Sequence, residues 1–163
     1  MNYRIDGHSH RHAVEEMLLH LLPGNTVSEG ADDGGDFCSS RLSEQAGECT
    51  ARAEIRLDGR RLEGERSAPV PASADPLARK RLETELVKLS VYDAVVQALE
   101  EPPAWGSLTG VRPAKLARGM MERGMMPEVV ERQLCEHFYV SPARTALTMA
   151  AAKAALEIDR KIT

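Results

Sequence analysis

Apolar residues along the first hundred positions recur with two different periods, which predict strands and helices in turn. Alternation over residues 1–6 predicts a strand, and three- and four-residue steps over residues 8–22 predict a helix that Pro23-Gly24 ends. Further alternation predicts three more strands, at residues 37–43, 48–57 and 60–67. Asp58-Gly59 is a strong two-residue hairpin signal, so the last two of these strands are expected to pair antiparallel.

A long helix is predicted after a proline-rich link, with Asp75 as its N-cap and Pro76 as its first residue. One stripe of this helix is apolar and is expected to cover the sheet: Leu82, Leu86, Leu89, Val96 and Leu99. The segment between the first helix and the second strand, residues 25–36, is polar and glycine-rich, which predicts a flexible acidic loop rather than a calcium loop. The order is therefore β-α-β-β-β-α, a small sheet-and-helix layer pair.

Only helical periodicity follows, with a proline at each of three expected helix starts, Pro113, Pro127 and Pro142. Gly124 can close the first of these helices, and Ser141 is a good N-cap for the last. The last helix carries four apolar residues at helical spacing, which predict its buried side: Leu147, Ala151, Ala154 and Ile158. The sequence thus predicts an α+β fold, with an α+β domain at residues 1–101 and a three-helix region at residues 102–163.

Composition narrows the class of protein. The chain has 163 residues, of which 42% are hydrophobic but only 4% aromatic, so its cores must be aliphatic. A formal net charge of −4 makes nucleic acid an unfavourable partner, because such binding depends on clustered Lys and Arg. No apolar run approaches the roughly 18 residues of a membrane helix, and the N-terminus lacks the apolar core of a signal peptide. We therefore expect a cytoplasmic protein that does not contact membranes.

Residues with catalytic or metal-binding chemistry form no recognisable motif, so no catalytic residue and no metal ligand is predicted. His8, His10 and His12 could chelate a metal on one face of a strand, whereas on a helix they are expected to be exposed or capping. The three cysteines are too widely spaced for a metal site and predict reduced thiols. A disulfide from Cys38 to Cys49 across a hairpin is the alternative.

The segment WGSLTGVRPAKL, residues 105–116, holds the only Trp and joins the two halves. Thr109 and Gly110 precede a helix start, where free backbone N–H groups and the helix dipole favour an anion. Arg112 and Lys115 add positive charge at the same end, so a phosphate or a carboxylate could bind there. Trp105 could instead serve in docking between domains.

A purely structural explanation of the same segment is also open. Thr109 would cap the helix, Gly110 would permit the turn, and Trp105 would pack into the seam between the halves. Arg112 would then pair with a nearby acid such as Glu101. The residues alone leave both explanations standing.

Several short motifs carry a family resemblance, and they are Trp105-Gly106, Leu108-Thr109-Gly110-Val111-Arg112-Pro113, Lys115-Leu116, Gly124-Met125 and Tyr139-Val140-Ser141. In order and spacing they resemble the N-terminal region of the HemZ-type oxygen-independent coproporphyrinogen III oxidase (dehydrogenase) family. The resemblance is strong from Trp105 onward and weak before it. Met126 departs from the family, since a polar N-cap is expected before Pro127.

In that family the region precedes a radical-SAM barrel, in which a CxxxCxxC motif holds a [4Fe-4S] cluster that cleaves S-adenosylmethionine. This sequence has no such motif, and its cysteines cannot replace it. The resemblance therefore implies a truncated or separated accessory domain, not catalytic by itself, whose partner is the radical-SAM domain of the same polypeptide. The cluster and S-adenosylmethionine would belong to that parent oxidoreductase of haem biosynthesis, and Arg112 and Lys115 could meet the propionates of its substrate.

A stand-alone binding module for RNA or a protein partner is the alternative function, although the acidic overall balance argues against RNA. An apolar surface left uncovered by a missing domain would also predict self-association of the chain.

Overall fold

The computed structural model describes residues 1–162 and has an α+β fold, as the sequence predicts. Thr163, the last residue of the predicted helical region, lies outside the described residues. The chain divides into two compact units, of which the first is Met1–Glu101 and the second begins at Pro102. The elements of the first unit are β1 (Asn2–Asp6), α1 (Arg11–Leu21), β2 (Ser28–Glu29), β3 (Phe37–Gln45), β4 (Glu48–Leu57), β5 (Arg60–Pro69) and α2 (Pro76–Val96).

The five strands form one mixed sheet in the order β2-β1-β3-β4-β5. β1 pairs parallel with both of its neighbours, whereas β3, β4 and β5 pair antiparallel. Asp58 and Gly59 both have positive φ, 49° and 79°, so the β4–β5 hairpin turns where the sequence predicts. β2 corrects the prediction of a loop over residues 25–36. Both residues of this short strand are exposed and pair only with distant Asn2 and Tyr3, so no local alternation announces it.

Helix α2 packs across β3, β4 and β5, α1 packs against α2, and the aliphatic core of the first unit lies among them. The Asp75 carboxylate accepts a hydrogen bond from the Ala78 backbone N–H at 2.7 Å, which confirms the predicted N-cap. All five residues of the predicted stripe face the core: Leu86 and Leu89 are buried, and Leu82, Val96 and Leu99 are half-buried and pack against it. The helix ends at Val96, so Leu99 lies beyond it, and the buried face is wider than predicted, since it also includes Val87, Ser90, Val91, Tyr92, Ala94 and Val95.

The cause of this wide buried face is a glycine in the facing strand. A Cβ atom on Gly64 of β5 would lie 2.1 Å from the Ser90 carbonyl oxygen and 2.7 Å from the Ala94 nitrogen. The absence of a side chain lets the backbone of β5 touch the backbone of α2, so residues on both flanks of the helix are covered.

The second unit consists of α3 (Pro113–Glu122), α4 (Pro127–Arg132), a π-helical turn (Gln133–His137) and α5 (Pro142–Ile162). Its core is aliphatic and consists of Leu108, Ala117, Met120, Val130, Leu134, Val140, Met149 and Ala152. The Ser141 hydroxyl accepts a hydrogen bond from the Arg144 backbone N–H at 3.3 Å, as expected of an N-cap.

The predicted buried side of α5 is wrong. Leu147 and Ile158 are 56% and 57% exposed, and the helix instead buries Thr145, Thr148, Met149 and Ala152. Alanine occurs on every side of this helix, so apolar spacing does not distinguish one face from another. The Thr145 hydroxyl lies 3.3 Å from the Cys135 sulfur, and this contact helps a polar residue to occupy the core.

Candidate functional site

The segment at residues 105–116 divides into a packed part and an exposed part. In the packed part, the backbone N–H of Ser107 donates to the Phe138 carbonyl at 2.8 Å, and its hydroxyl donates to the same oxygen at 3.1 Å. The Ser141 N–H donates in turn to the Ala104 carbonyl at 2.9 Å. These bonds tie the beginning of the second unit to the connection that precedes α5.

Gly106 makes this close approach possible. Its φ is +58°, and an added Cβ atom would lie 2.1 Å from the Phe138 carbonyl oxygen, so no other residue fits. Trp105 packs against the core of the second unit, and the Arg144 guanidinium lies 5.4 Å from the centre of its indole ring. The Trp105 side chain therefore has a packing role inside the second unit.

The exposed part begins at Gly110 and leads into α3. Arg112, and not Thr109, occupies the N-cap position of α3, and its side chain makes no capping hydrogen bond. Pro113 is the first helical residue, as predicted, and the first bond of the helix runs from the Leu116 N–H to the Arg112 carbonyl at 3.1 Å. The cap assigned to Thr109 by the structural explanation is thus incorrect.

Two open depressions lie beside α3, with volumes of about 600 Å³ and 670 Å³. Both are lined by Arg112, Lys115 and Gly119, and we call the two together the α3 groove. The other lining residues are Ala114, Arg118, Glu122 and Ala155 on one flank and Gly110, Val111, Leu116 and Arg123 on the other.

The α3 groove carries positive charge that the protein does not neutralise. Arg118 pairs with Glu122 at 2.9 Å and also with Asp159. Among residues 1–162, Arg112, Lys115 and Arg123 form no ion pair, and all three are exposed. The second unit has nine Lys and Arg against six Asp and Glu, a formal charge of +3, whereas the first has twelve against nineteen, or −7. An anion is therefore the ligand that this groove favours.

Sequence reasoning named Arg112 and Lys115 but missed Gly119 and Arg123. The sequence feature that could have identified them is spacing: positions 112, 115, 119 and 123 lie on one face of a helix, in steps of three and four. Once Pro113 is accepted as a helix start, this face can be read from the sequence.

A second polar cluster, in the first unit, was also missed. The His8 Nε2 atom lies 3.0 Å from the Ser40 hydroxyl, and the His10 backbone N–H donates to His8 Nδ1 at 3.0 Å. The two imidazole rings stack with centroids 5.5 Å apart, and His10 Nε2 lies 2.8 Å from the Glu83 carboxylate. Sequence gives no hint of this contact, because His10 and Glu83 are 73 residues apart.

This cluster does not have the geometry of a serine nucleophile with its base. His8 Nδ1 accepts a hydrogen bond, so in the neutral ring Nε2 carries the proton and donates to Ser40. A general base would have to accept from the serine instead, and the Ser40 side chain is fully buried. Burial, followed by the neighbouring His10, lowers the pKa of His8 below its ordinary value. The cluster joins β3, α1 and α2, which is a structural role.

The predicted thiols are free, and the alternative disulfide is not formed. Cys38 pairs across the sheet with Ile55 and Cys49 with Glu44, so the two thiols stand six positions apart along the strands, about 20 Å. Burial raises the pKa of Cys38 to about 12. Residues 1–162 contain no group of three or more His, Cys, Asp or Glu placed to hold a metal.

None of the described helices combines the length and the apolar character that crossing a membrane requires. No protein-family profile, no curated protein and no solved structure matches this chain. The α3 groove and the resemblance carried by its motif are therefore the two features that bear on function.

Proposed function

We propose that this chain is the accessory, non-catalytic N-terminal part of a radical-SAM oxidoreductase of the coproporphyrinogen III oxidase kind, and that its second unit binds substrate carboxylates. The observation that carries the proposal is the pair of uncompensated cations, Arg112 and Lys115, that line both sides of the α3 groove. They belong to the LTGVRP and KL motifs on which the family resemblance rests.

The residues of this chain do not fit the iron–sulfur cluster of that family. Cys38 and Cys49 are buried on neighbouring strands, about 20 Å apart, and no loop within residues 1–162 brings three thiolates together. The proposal therefore assigns no radical step to this chain. Its partner would be the catalytic domain that holds the cluster and S-adenosylmethionine.

The weakness of single surface ion pairs favours a ligand with several carboxylates. Each exposed pair contributes only about 0.2–1 kcal/mol, so one carboxylate on Arg112 would bind poorly. A porphyrinogen carries propionates around a large apolar ring. Its acids can meet Arg112 and Lys115 together, while Val111 and Leu116 supply apolar contact.

The test is a titration of the chain with coproporphyrin III, the air-stable oxidised form of the tetracarboxylate, followed by porphyrin fluorescence. The double substitution Arg112→Ala with Lys115→Ala removes two pairs and is expected to weaken binding roughly 2- to 30-fold. Arg132→Ala is the matched control, because Arg132 is also exposed and lies outside the groove. Equal affinity in all three proteins, or no binding by the wild type, contradicts the proposal.

The formal charge of +3 on the second unit also supports a stand-alone RNA-binding module. Titration with a single-stranded RNA oligonucleotide at two salt concentrations separates the two functions. RNA binding with a steep salt dependence, lost on Arg112→Ala, combined with no affinity for coproporphyrin III, would establish the RNA function in place of the first.

A further inference from the structure

Arg123 is the C-cap residue of α3, and the way the helix ends fixes the position of its backbone. Gly124, with a φ of +92°, donates its N–H to the Met121 carbonyl at 3.0 Å. The Met125 N–H donates to the Met120 carbonyl at 3.1 Å. These two bonds form the Schellman arrangement, in which a left-handed glycine closes a helix. The Arg123 side chain therefore starts from a defined point at the C-terminal end of α3.

The Arg123 guanidinium lies over Gly119, one turn back along the helix. A Cβ atom added to Gly119 would lie 3.4 Å from Arg123 Nη1. Among residues 1–162, this is the one atom within 4 Å of that position outside the neighbouring residues and the helix backbone. Helical side chains lean towards the N-terminus, so residue 123 can reach the level of residue 119. The positive charge of Arg123 is thus displaced from the end of α3 towards the α3 groove.

The missing side chain of Gly119 leaves room for this guanidinium. Arg112, Lys115, Gly119 and Arg123 all line the same depression of the α3 groove. An alanine at position 119 would touch the guanidinium at an ordinary contact distance, whereas a leucine would fill the space that the guanidinium occupies. A small residue at position 119 therefore keeps a third cation beside Arg112 and Lys115.

We propose that Arg123 is a third ligand-binding cation of the α3 groove, and that Gly119 is the positioning residue that seats its guanidinium there. An anionic ligand is met by Arg112, Lys115 and Arg123 together, and Gly119 affects binding only through Arg123. This inference rests on the anion-binding function proposed above, and it adds one binding residue and its positioning residue to that site.

A double-mutant cycle on the whole chain tests the inference. Affinity is measured for coproporphyrin III by fluorescence and for inorganic pyrophosphate, which shares only its negative charge with the porphyrin, by calorimetry. Arg123→Ala removes one exposed pair and should weaken binding of both anions roughly 2- to 5-fold. Gly119→Leu should cause the same loss, and the two substitutions combined should cause no further loss. Gly119→Ala leaves room for the guanidinium, so it should bind as the wild type does and raise the thermal midpoint by about 1–4 °C.

Two control variants lie outside the groove. Arg132→Ala removes an exposed cation and Ala150→Leu adds bulk to an exposed helix surface, and both should bind as the wild type does. The thermal midpoint of Arg123→Ala should stay within about 2 °C of the wild-type value, whereas a purely structural Arg123 would lower it further.

Wild-type affinity in Arg123→Ala overturns the inference, as does a further loss when Gly119→Leu is added to Arg123→Ala. If Arg112→Ala with Lys115→Ala weakens porphyrin binding while Arg123→Ala does not, the anion-binding function stands and only the role of Arg123 fails. If pyrophosphate shows the expected cycle but the porphyrin does not bind, the inference stands and the porphyrin function fails. A wild type that binds neither anion overturns both.

Discussion

The first unit ties its charged side chains to one another, whereas the second leaves a set of cations open. In the first, Arg66 makes two bonds to Asp93 at 2.6 Å and 3.2 Å, and Lys88 lies 2.8 Å from Glu16. These pairs are partly buried; the first links β5 to α2, and the second links α1 to α2. In the second, Arg112, Lys115 and Arg123 share the α3 groove and have no acidic partner among residues 1–162. Charge in the first unit therefore stabilises structure, and charge around α3 remains available to a ligand.

Replacing a glycine by alanine should produce the largest change in the free energy of unfolding, and the sign of the change should differ between the two units. Gly64→Ala should destabilise the first unit by about 3 kcal/mol, because its Cβ atom would meet the backbone of α2 at Ser90 and Ala94. Urea unfolding measures the loss. Gly119→Ala is the matched control, since the same substitution should raise stability there. Equal effects at the two positions would contradict the distinction between a packed and an open glycine.

Removal of a paired charge should have the next largest effect. Asp93→Ala leaves the Arg66 guanidinium without its bidentate partner at a site only about one fifth exposed, and should cost about 2 kcal/mol of unfolding free energy. Arg112→Ala removes a cation that has no partner, so the change should stay within about 0.5 kcal/mol. Both are measured by urea unfolding. A cost for Arg112→Ala as large as that for Asp93→Ala would show that Arg112 is structural.

Lowering the pH should decrease the free energy of unfolding of the first unit, because the unfolded chain protonates His8 more readily than the folded chain does. Burial and His10 hold the folded pKa of His8 below the ordinary value of 6.5, so the unfolded chain binds the proton more readily. Stability is then complete above about pH 6.5 and falls as the pH drops below it, by at most about 1.4 kcal/mol per pH unit. Urea unfolding at pH 7.5 and 5.5 tests this, and His8→Gln should reduce the difference.

Local signals in the sequence predicted the local structure well. The Asp58-Gly59 turn, the Asp75 and Ser141 caps and the proline at the start of α3 depend only on near neighbours, and all four are confirmed. The wide buried face of α2 depends instead on Gly64, a residue of the facing strand. Such a contact leaves no trace in the periodicity of the helix itself.

The candidate site shows the same division. The positions of Arg112 and Lys115 on α3 follow from the proline that starts the helix, and the sequence supplied them. Their lack of an acidic partner depends on where the fold places Glu122 and Asp159, which both turn to Arg118. The His10 contact with Glu83 likewise exists only because the chain returns after 73 residues. Spacing therefore predicts which residues share a face, but not which of them remain unpaired.

A change in salt concentration should produce the smallest effect, and it should act on ligand binding at α3 but not on the stability of the first unit. Exposed charges are screened over roughly 10 Å at 0.1 M salt, while partly buried pairs are screened much less. Raising NaCl from 50 to 300 mM should weaken coproporphyrin III binding a few-fold and leave the urea midpoint of the first unit nearly unchanged. The Arg112→Ala and Lys115→Ala double variant should lose most of the salt dependence, whereas Arg132→Ala should keep it. An affinity that does not respond to salt would contradict the proposal. Binding to exposed cations must weaken as salt screens them, so such a ligand would have to contact the chain away from Arg112, Lys115 and Arg123.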